Sequence, residues 1–152
     1  ESLHEINFKN AQKLLSINLI VPLLLSKYFI SQAEQFKPDQ KGIKGKIINM
    51  ADVAGQHPWA EYAVYSASKA GLMAATKSLA KELAPGFTVN AVAPGLASFP
   101  DNFSKDEITR QAAKVPMKRP AEFDEITGAI IFLLKNDYIT GRTITLDGGR
   151  YI

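Results

Sequence analysis

Apolar residues recur at helical spacing in the first part of the chain, over residues 9–36. Side chains three or four residues apart lie on one face of a helix, so this pattern predicts an amphipathic helix with a broad apolar face. That face is formed by Leu14, Ile17, Val21, Leu24, Leu25 and Tyr28. Asn18, Pro22 and Lys27 interrupt the apolar run, which favours a buried helix over a membrane-spanning one.

The rest of the chain alternates short apolar runs with longer amphipathic segments, and turn residues separate them. The predicted strands are 46–50, 87–92 and 142–146, and the predicted helices are 61–84, 104–114 and 122–134. Residues 96–120 form a long irregular segment around the 104–114 helix, as binding loops and lids often do.

This order of elements predicts an α/β fold, a Rossmann-like doubly wound parallel sheet with helices on both faces. Only three strands can be counted, and a three-stranded parallel sheet needs neighbours to cover its edges. Residues 1–152 are therefore predicted to be the C-terminal portion of a single domain. No glycine-rich phosphate loop occurs in the chain. We expect the phosphate-binding N-terminal part of the domain to precede Glu1.

The composition narrows the class of protein. A hydrophobic content of 46% with 22% charged residues is typical of a globular domain. The net charge of +3 is spread along the chain, so neither a nucleic acid nor a membrane surface is expected as a partner. The absence of cysteine excludes disulfides and thiolate metal sites and suits a reducing compartment. We expect a cytoplasmic location and no metal centre.

Tyr65 and Lys69 form a Tyr-x-x-x-Lys motif, which places a phenol and an ammonium group on one face of a predicted helix. A phenol ordinarily titrates near pH 10, and a close ammonium group lowers its pKa by favouring the phenolate. Asp52 lies 13 positions before Tyr65, and a carboxylate has the opposite effect. The sequence therefore predicts a proton donor with an anion beside it.

The surroundings of this motif strengthen it. Asp52 and the Pro94-Gly95 turn each follow a predicted strand, at the edge where open parallel sheets bind their ligands. Asn18 is a polar residue within the most apolar helix and needs a hydrogen-bond partner there. Each residue also has a purely structural explanation: a helix-surface Tyr and Lys, an N-capping Asp, a turn Pro-Gly and a hydrogen-bonded core Asn.

Together these motifs resemble those of the short-chain dehydrogenase/reductase family over essentially the whole chain. The family's catalytic helix is similar to residues 65–71, and its following strand and turn are similar to 89–95. Its C-terminal signature is similar to 139–142 followed by 147–149, and the helix asparagine of its Asn-Ser-Tyr-Lys tetrad matches Asn18. The resemblance implies an NAD(P)-dependent oxidoreductase.

Two departures narrow the resemblance. Asp52 stands at the position of the tetrad serine, and Ser98 occurs where a threonine usually follows the turn at 94–95. An Asp-Tyr-Lys set after an Ile-Ile-Asn-Met strand resembles the pteridine reductases, including the bacterial dihydromonapterin reductases. Residues 115–117 and 146–150 are similar to that branch as well.

The charge of Asp52 independently distinguishes two kinds of substrate. Reduction of a ketone builds negative charge on oxygen, which a neutral serine hydroxyl stabilises and an ionised carboxylate opposes. Reduction of a C=N bond adds a proton to nitrogen, and the ring passes through a more cationic form that a carboxylate stabilises. A pteridine is therefore the favoured substrate. The alternatives are a carbonyl reductase similar to the 3-oxoacyl carrier-protein reductases, with a protonated Asp52 imitating serine, and an inactive cofactor-binding scaffold.

The resemblance also implies a role for each site residue. NADPH supplies the hydride, Tyr65 hands a proton to the substrate, and Lys69 binds the nicotinamide ribose and lowers the pKa of Tyr65. Asn18 holds a water that links Lys69 to solvent, and Asp52 orients the pteridine and helps to protonate it. The expected cofactor contacts are Tyr65, Lys69, Met50, Pro94, Gly95, Leu96 and Ser98. The expected substrate contacts are Asp52, Tyr65, Trp59, Phe99 and Met117, with His57 a further candidate for the mouth of the site.

A homotetramer, or a dimer, is the expected assembly. The helices predicted at 9–36 and 61–84 resemble those that pair across the family's dimer interface. Arg150, near the C-terminus, is a candidate to reach the site of a neighbouring subunit.

Overall fold

The computed structural model describes residues 2–97 and 104–152, and its elements follow the predicted order. The helices are α1 (Phe8–Leu15), α2 (Val21–Ala33), α3 (Ala63–Leu83), α4 (Lys105–Ala113) and α5 (Phe123–Lys135). The strands are β1 (Gly45–Met50), β2 (Phe87–Pro94) and β3 (Thr143–Leu146). A π-helical turn, Ser16–Ile20, joins α1 to α2. The helix predicted over 9–36 therefore contains one irregular turn and ends at Ala33.

The three strands form one parallel sheet in the order β1–β2–β3. Met50, the last residue of β1, lies beside Val92, and Pro94, the last residue of β2, lies beside Leu146 of β3. The carboxyl ends of all three strands consequently meet at one edge of the sheet. Ligands of open parallel sheets bind at this edge.

Helices cover the sheet on both faces, which confirms the predicted doubly wound architecture. Ala91 and Ala93 of β2 pack with Met73 of α3, whereas Val92 between them packs with Leu133 of α5. The connection from β1 to β2 contains α3, and the connection from β2 to β3 contains α5. Both connections move in the same direction along the sheet, but their helices lie on opposite faces. The two crossovers therefore have opposite handedness, and one of them belongs to the rare left-handed class.

The prediction that the first helix is buried is wrong. Ile17, Leu25 and Tyr28 on its apolar face are 57%, 63% and 65% exposed. One side of this helix does pack against the domain, where a Cβ added to Gly71 of α3 would meet Leu19 at 3.0 Å. Within the described residues, the elements next to this helix are too few to enclose its other side.

The same helix, Phe8–Ala33, is long and apolar enough to cross a membrane, judged by length and composition only. Helices in the core of non-membrane proteins pass the same test, so this observation discriminates weakly. The packing of Leu19 on Gly71 shows that part of its surface serves the α/β domain.

Candidate active site

Asp52 follows β1 directly and holds two neighbours with its two carboxylate oxygens. Its Oδ1 accepts a hydrogen bond of 2.7 Å from the backbone N–H of Ala54 and so caps the short 3₁₀ helix Val53–Gly55. Its Oδ2 accepts a hydrogen bond of 2.8 Å from the Tyr65 hydroxyl. Asp52 therefore caps the 3₁₀ helix and contacts Tyr65 at the same time, and the cap fixes the carboxylate in the position where it contacts the hydroxyl.

Tyr65 and Lys69 lie on α3, on the side that faces the end of β1. The Lys69 ammonium donates a 3.0 Å hydrogen bond to the carbonyl oxygen of Met50. Its Nζ lies 5.8 Å from the centre of the Tyr65 ring. The predicted trio of Asp52, Tyr65 and Lys69 is therefore brought together at the carboxyl edge of the sheet.

The electrostatics of Tyr65 differ from the prediction. Burial raises the pKa of the phenol well above its ordinary value, and the hydrogen bond to Asp52 and the charge of that carboxylate raise it further. The predicted lowering of this pKa by Lys69 stays a prediction, because Asp52 touches the hydroxyl whereas Lys69 is bonded to Met50. Burial lowers the pKa of Lys69, although the charge of Asp52 acts in the opposite direction.

These side chains share a cleft of about 380 Å³ at the carboxyl edge. The predicted residues that line it are Met50, Asp52, Trp59, Tyr65, Lys69, Pro94, Gly95 and Leu96. One other predicted contact, Met117, is not found in it. Met117 lines a separate depression and is 61% exposed. Ser98 and Phe99 lie outside the described residues.

Asn18 occupies the π-helical turn between α1 and α2 and lines a groove on the other side of Lys69. Its amide donates to the Ser68 hydroxyl at 3.2 Å, and that hydroxyl donates to the carbonyl oxygen of Tyr65 at 2.6 Å. Asn18 is therefore bonded to the turn of α3 that carries Tyr65. Its role in holding a water beside Lys69 stays a prediction.

The structure adds Ala51, Val53, Ala97, Arg150 and Tyr151 to the lining of the cleft. Arg150 thus lines the cleft of its own chain, whereas the sequence suggested a neighbouring subunit's site. The Tyr151 hydroxyl accepts a 2.7 Å hydrogen bond from the indole N–H of Trp59. The sequence could have indicated Arg150 and Tyr151, because they follow β3, whose carboxyl end lies beside that of β2.

The chain's own residues fit the nicotinamide end of a dinucleotide. Among the described residues the Lys69 ammonium makes one hydrogen bond, to Met50, so two of its three donors are available to ribose hydroxyls. Pro94, Gly95 and Leu96 line the same cleft. Across residues 2–97 and 104–152, no group of three His, Asp or Glu side chains is placed to hold a metal ion.

Comparison with known proteins identifies the family. The family model described as enoyl-(acyl carrier protein) reductase matches residues 1–150. The chain belongs to the short-chain dehydrogenase/reductase family. The 3-oxoacyl-[acyl-carrier-protein] reductase FabG of Buchnera aphidicola is 37% identical over 140 residues, which cover 89% of this chain and 57% of that protein.

A second relative and a solved structure are named as a pteridine reductase and an alternative dihydrofolate reductase. Pteridine reductase 1 of Leishmania tarentolae is also 37% identical, over 145 residues that cover 91% of this chain and 50% of that protein. The crystal structure of FolM alternative dihydrofolate reductase 1 from Brucella suis in complex with NADP superimposes with a TM-score of 0.85 at 27% identity. That match covers 99% of this chain and 58% of the other. The chain spans about half the length of these relatives.

Proposed function

We propose that the protein containing this chain is an NADPH-dependent reductase that transfers a hydride to a C=N bond of a pteridine. The substrate is a dihydropterin such as dihydrobiopterin or dihydromonapterin, or dihydrofolate. The observation that carries this proposal is the 2.8 Å hydrogen bond from the Tyr65 hydroxyl to the Asp52 carboxylate. The pteridine reductase and FolM relatives support it.

The anion beside Tyr65 is what favours a C=N bond. A substrate atom that shares the Tyr65 hydroxyl with Asp52 would lie about 4 Å from the carboxylate, where two unit charges interact by about 4 kcal/mol at an effective dielectric constant near 20. An oxyanion at that point is destabilised by this amount, and a cationic ring is stabilised by it. Asp52 therefore opposes reduction of a ketone and assists reduction of a protonated heterocycle.

Each residue has a specific task in this proposal. When bound, NADPH supplies the hydride. Tyr65 delivers its proton to the ring nitrogen, and its raised pKa keeps that proton in place at neutral pH. Asp52 accepts hydrogen bonds from the amino and ring N–H groups and stabilises the cationic form of the ring. Lys69 holds ribose hydroxyls with the donors that it does not use on Met50.

A carbonyl reductase that acts on 3-oxoacyl thioesters is the second candidate. The similarity to FabG favours it. FabG is 37% identical to this chain, which is the same identity as that of pteridine reductase 1. In that enzyme a protonated Asp52 would imitate the serine of related sites and donate to the substrate oxygen. An inactive scaffold is less well supported, since Asp52, Tyr65 and Lys69 all line one cleft.

A homotetramer or dimer in the cytoplasm completes the proposal. The exposed apolar face of the α1–α2 helix supports an assembly, because a second subunit would remove Ile17, Leu25 and Tyr28 from water.

The substitution Tyr65→Phe in the full-length protein tests this assignment. It removes the proton donor and keeps the ring, so reduction of dihydropterin should fall by about 10²- to 10⁴-fold, the contribution of a general acid. Tyr138→Phe is the matched control, because Tyr138 is fully exposed and lies outside the cleft. Substantial activity in Tyr65→Phe would contradict the proposed role.

A further inference from the structure

The turn after β3 delivers the end of the chain into the cleft. Asp147 organises it, since its Oδ1 accepts from the N–H of Gly149 and its Oδ2 from the N–H of Tyr151, both at 3.0 Å. Gly148 and Gly149 adopt φ angles of +62° and +83°, which other residues rarely adopt. A Cβ on Gly148 would also meet Val115 at 2.5 Å. The direction in which Tyr151 leaves this turn is therefore fixed.

Tyr151 joins the C-terminal turn to the loop that follows Asp52. Its ring stacks on His57, with the two ring centres 4.5 Å apart and the planes within 6° of parallel. Its hydroxyl accepts the hydrogen bond from the Trp59 indole at 2.7 Å. The guanidinium carbon of Arg150 lies 5.7 Å from the centre of the Tyr151 ring. Tyr151 thus holds the loop at two aromatic residues.

The indole that Tyr151 holds is a wall of the cleft beside the proposed proton donor. The ring centres of Trp59 and Tyr65 lie 6.5 Å apart with 25° between their planes, and those of Trp59 and Tyr62 lie 5.8 Å apart with the planes nearly perpendicular. Trp59 is 37% exposed, so its remaining surface is open to a ligand. An indole fixed in this orientation offers a flat surface to a conjugated ring.

We propose that Tyr151 is a positioning residue that fixes the Trp59 indole as an aromatic wall of the cleft and thereby selects flat, conjugated ring substrates. The selection of substrate in this inference rests on the proposed function, whereas the positioning of Trp59 by Tyr151 does not. The contact between Tyr151 and Trp59 exists in the free protein. An open-chain thioester has no ring to place against the indole and gains nothing from its orientation.

The substitution Tyr151→Phe in the full-length protein tests the contact first without substrate. It keeps the stacking on His57 and removes the acceptor for the Trp59 N–H, and Tyr138→Phe is the matched control. The difference in fluorescence between the wild type and Trp59→Phe isolates this indole from any other tryptophan. Tyr151→Phe should shift that emission to the red and increase its quenching by acrylamide, whereas Tyr138→Phe should do neither. Unchanged emission and quenching in Tyr151→Phe would overturn the proposal.

Kinetics then test the selection of substrate. Tyr151→Phe should raise the KM for dihydropterin about five-fold, as expected for one neutral hydrogen bond, and change kcat and the KM for an acetoacetyl thioester by less than that. Trp59→Phe breaks the same bond and replaces the wall, so Tyr151→Phe should add nothing to it in the double variant. Additive effects would overturn the positioning role. If no dihydropterin is reduced, the proposed function fails, and the fluorescence result still decides the contact.

Discussion

Replacement of Asp52 by serine is the most informative perturbation of this site. The substitution removes the charge beside Tyr65, and it preserves a good cap for Val53–Gly55 because serine is among the preferred N-cap residues. It also restores the residue type that the catalytic tetrad of the short-chain dehydrogenases usually carries. Any change in activity therefore reports on the carboxylate rather than on the fold.

The size of the effect follows from the geometry. Asp52 Oδ2 lies 2.8 Å from the Tyr65 oxygen, so a reacting atom bonded to the same hydroxyl is about 4 Å from the charge. An interaction of about 4 kcal/mol corresponds to a change of roughly 10³ in the rate for each substrate. The cleft is open to solvent, which screens the charge, so this value is an upper bound. We expect the preference for dihydropterin over acetoacetyl thioester to fall by about 10- to 1,000-fold.

The assay is NADPH oxidation by the full-length protein, measured as kcat/KM for the two substrates. Asp106→Ser is the matched control, because Asp106 lies exposed in the first turn of α4 and does not line the cleft. Circular dichroism before and after heating establishes that each variant is folded. If Asp52→Ser leaves the ratio of the two kcat/KM values unchanged, the electrostatic account of substrate choice is refuted.

Two further predictions concern the chemistry of Tyr65 and the stability of the fold. The phenolate absorbance that is lost in Tyr65→Phe should appear only above pH of about 10 in the wild type and at lower pH in Asp52→Asn, because Asp52 raises the pKa of the phenol. Since this pKa is raised, the linked stability is present below pH of about 10 and is lost as the pH rises through the folded-state value. Gly148→Ala should lower the free energy of unfolding in urea by at least about 1–2 kcal/mol, because of the positive φ and the contact with Val115. Gly128 lies in the middle of α5 with open space around it, so Gly128→Ala should raise the free energy of unfolding by about 0.5–1 kcal/mol. Equal midpoints for the two glycine variants, or an early phenolate in the wild type, would contradict these expectations.

Most of the fold could be predicted because its signals are local. Strand and helix periods, together with glycine and proline at the boundaries, locate the strands β1–β3 and the helices α3–α5 to within a few residues, whereas the irregular turn Ser16–Ile20 that divides α1 from α2 was not predicted. The burial of the first helix could not be predicted in the same way. Periodicity shows which residues share a face, as Ile17, Leu25 and Tyr28 do, but it does not show whether anything covers that face.

The part of the candidate site that could be predicted is the part determined by residue type and by position at the end of a strand. Asp52, Tyr65 and Lys69 meet because two of them share a helix face and the third follows the adjacent strand. The pKa of Tyr65 depends on which group touches the hydroxyl, and the spacing of residues does not determine that. The contact between Trp59 and Tyr151 joins residues 92 positions apart, and no local pattern predicts it.

The central claim is that the anion at Tyr65 selects a C=N bond for reduction. The most direct test is the ratio of kcat/KM for dihydropterin to that for acetoacetyl thioester, measured with NADPH on the full-length wild-type protein. The 2.8 Å contact between Asp52 and Tyr65 predicts a ratio well above one. A protein that reduces the thioester and leaves dihydropterin unchanged would contradict the claim and identify a carbonyl reductase.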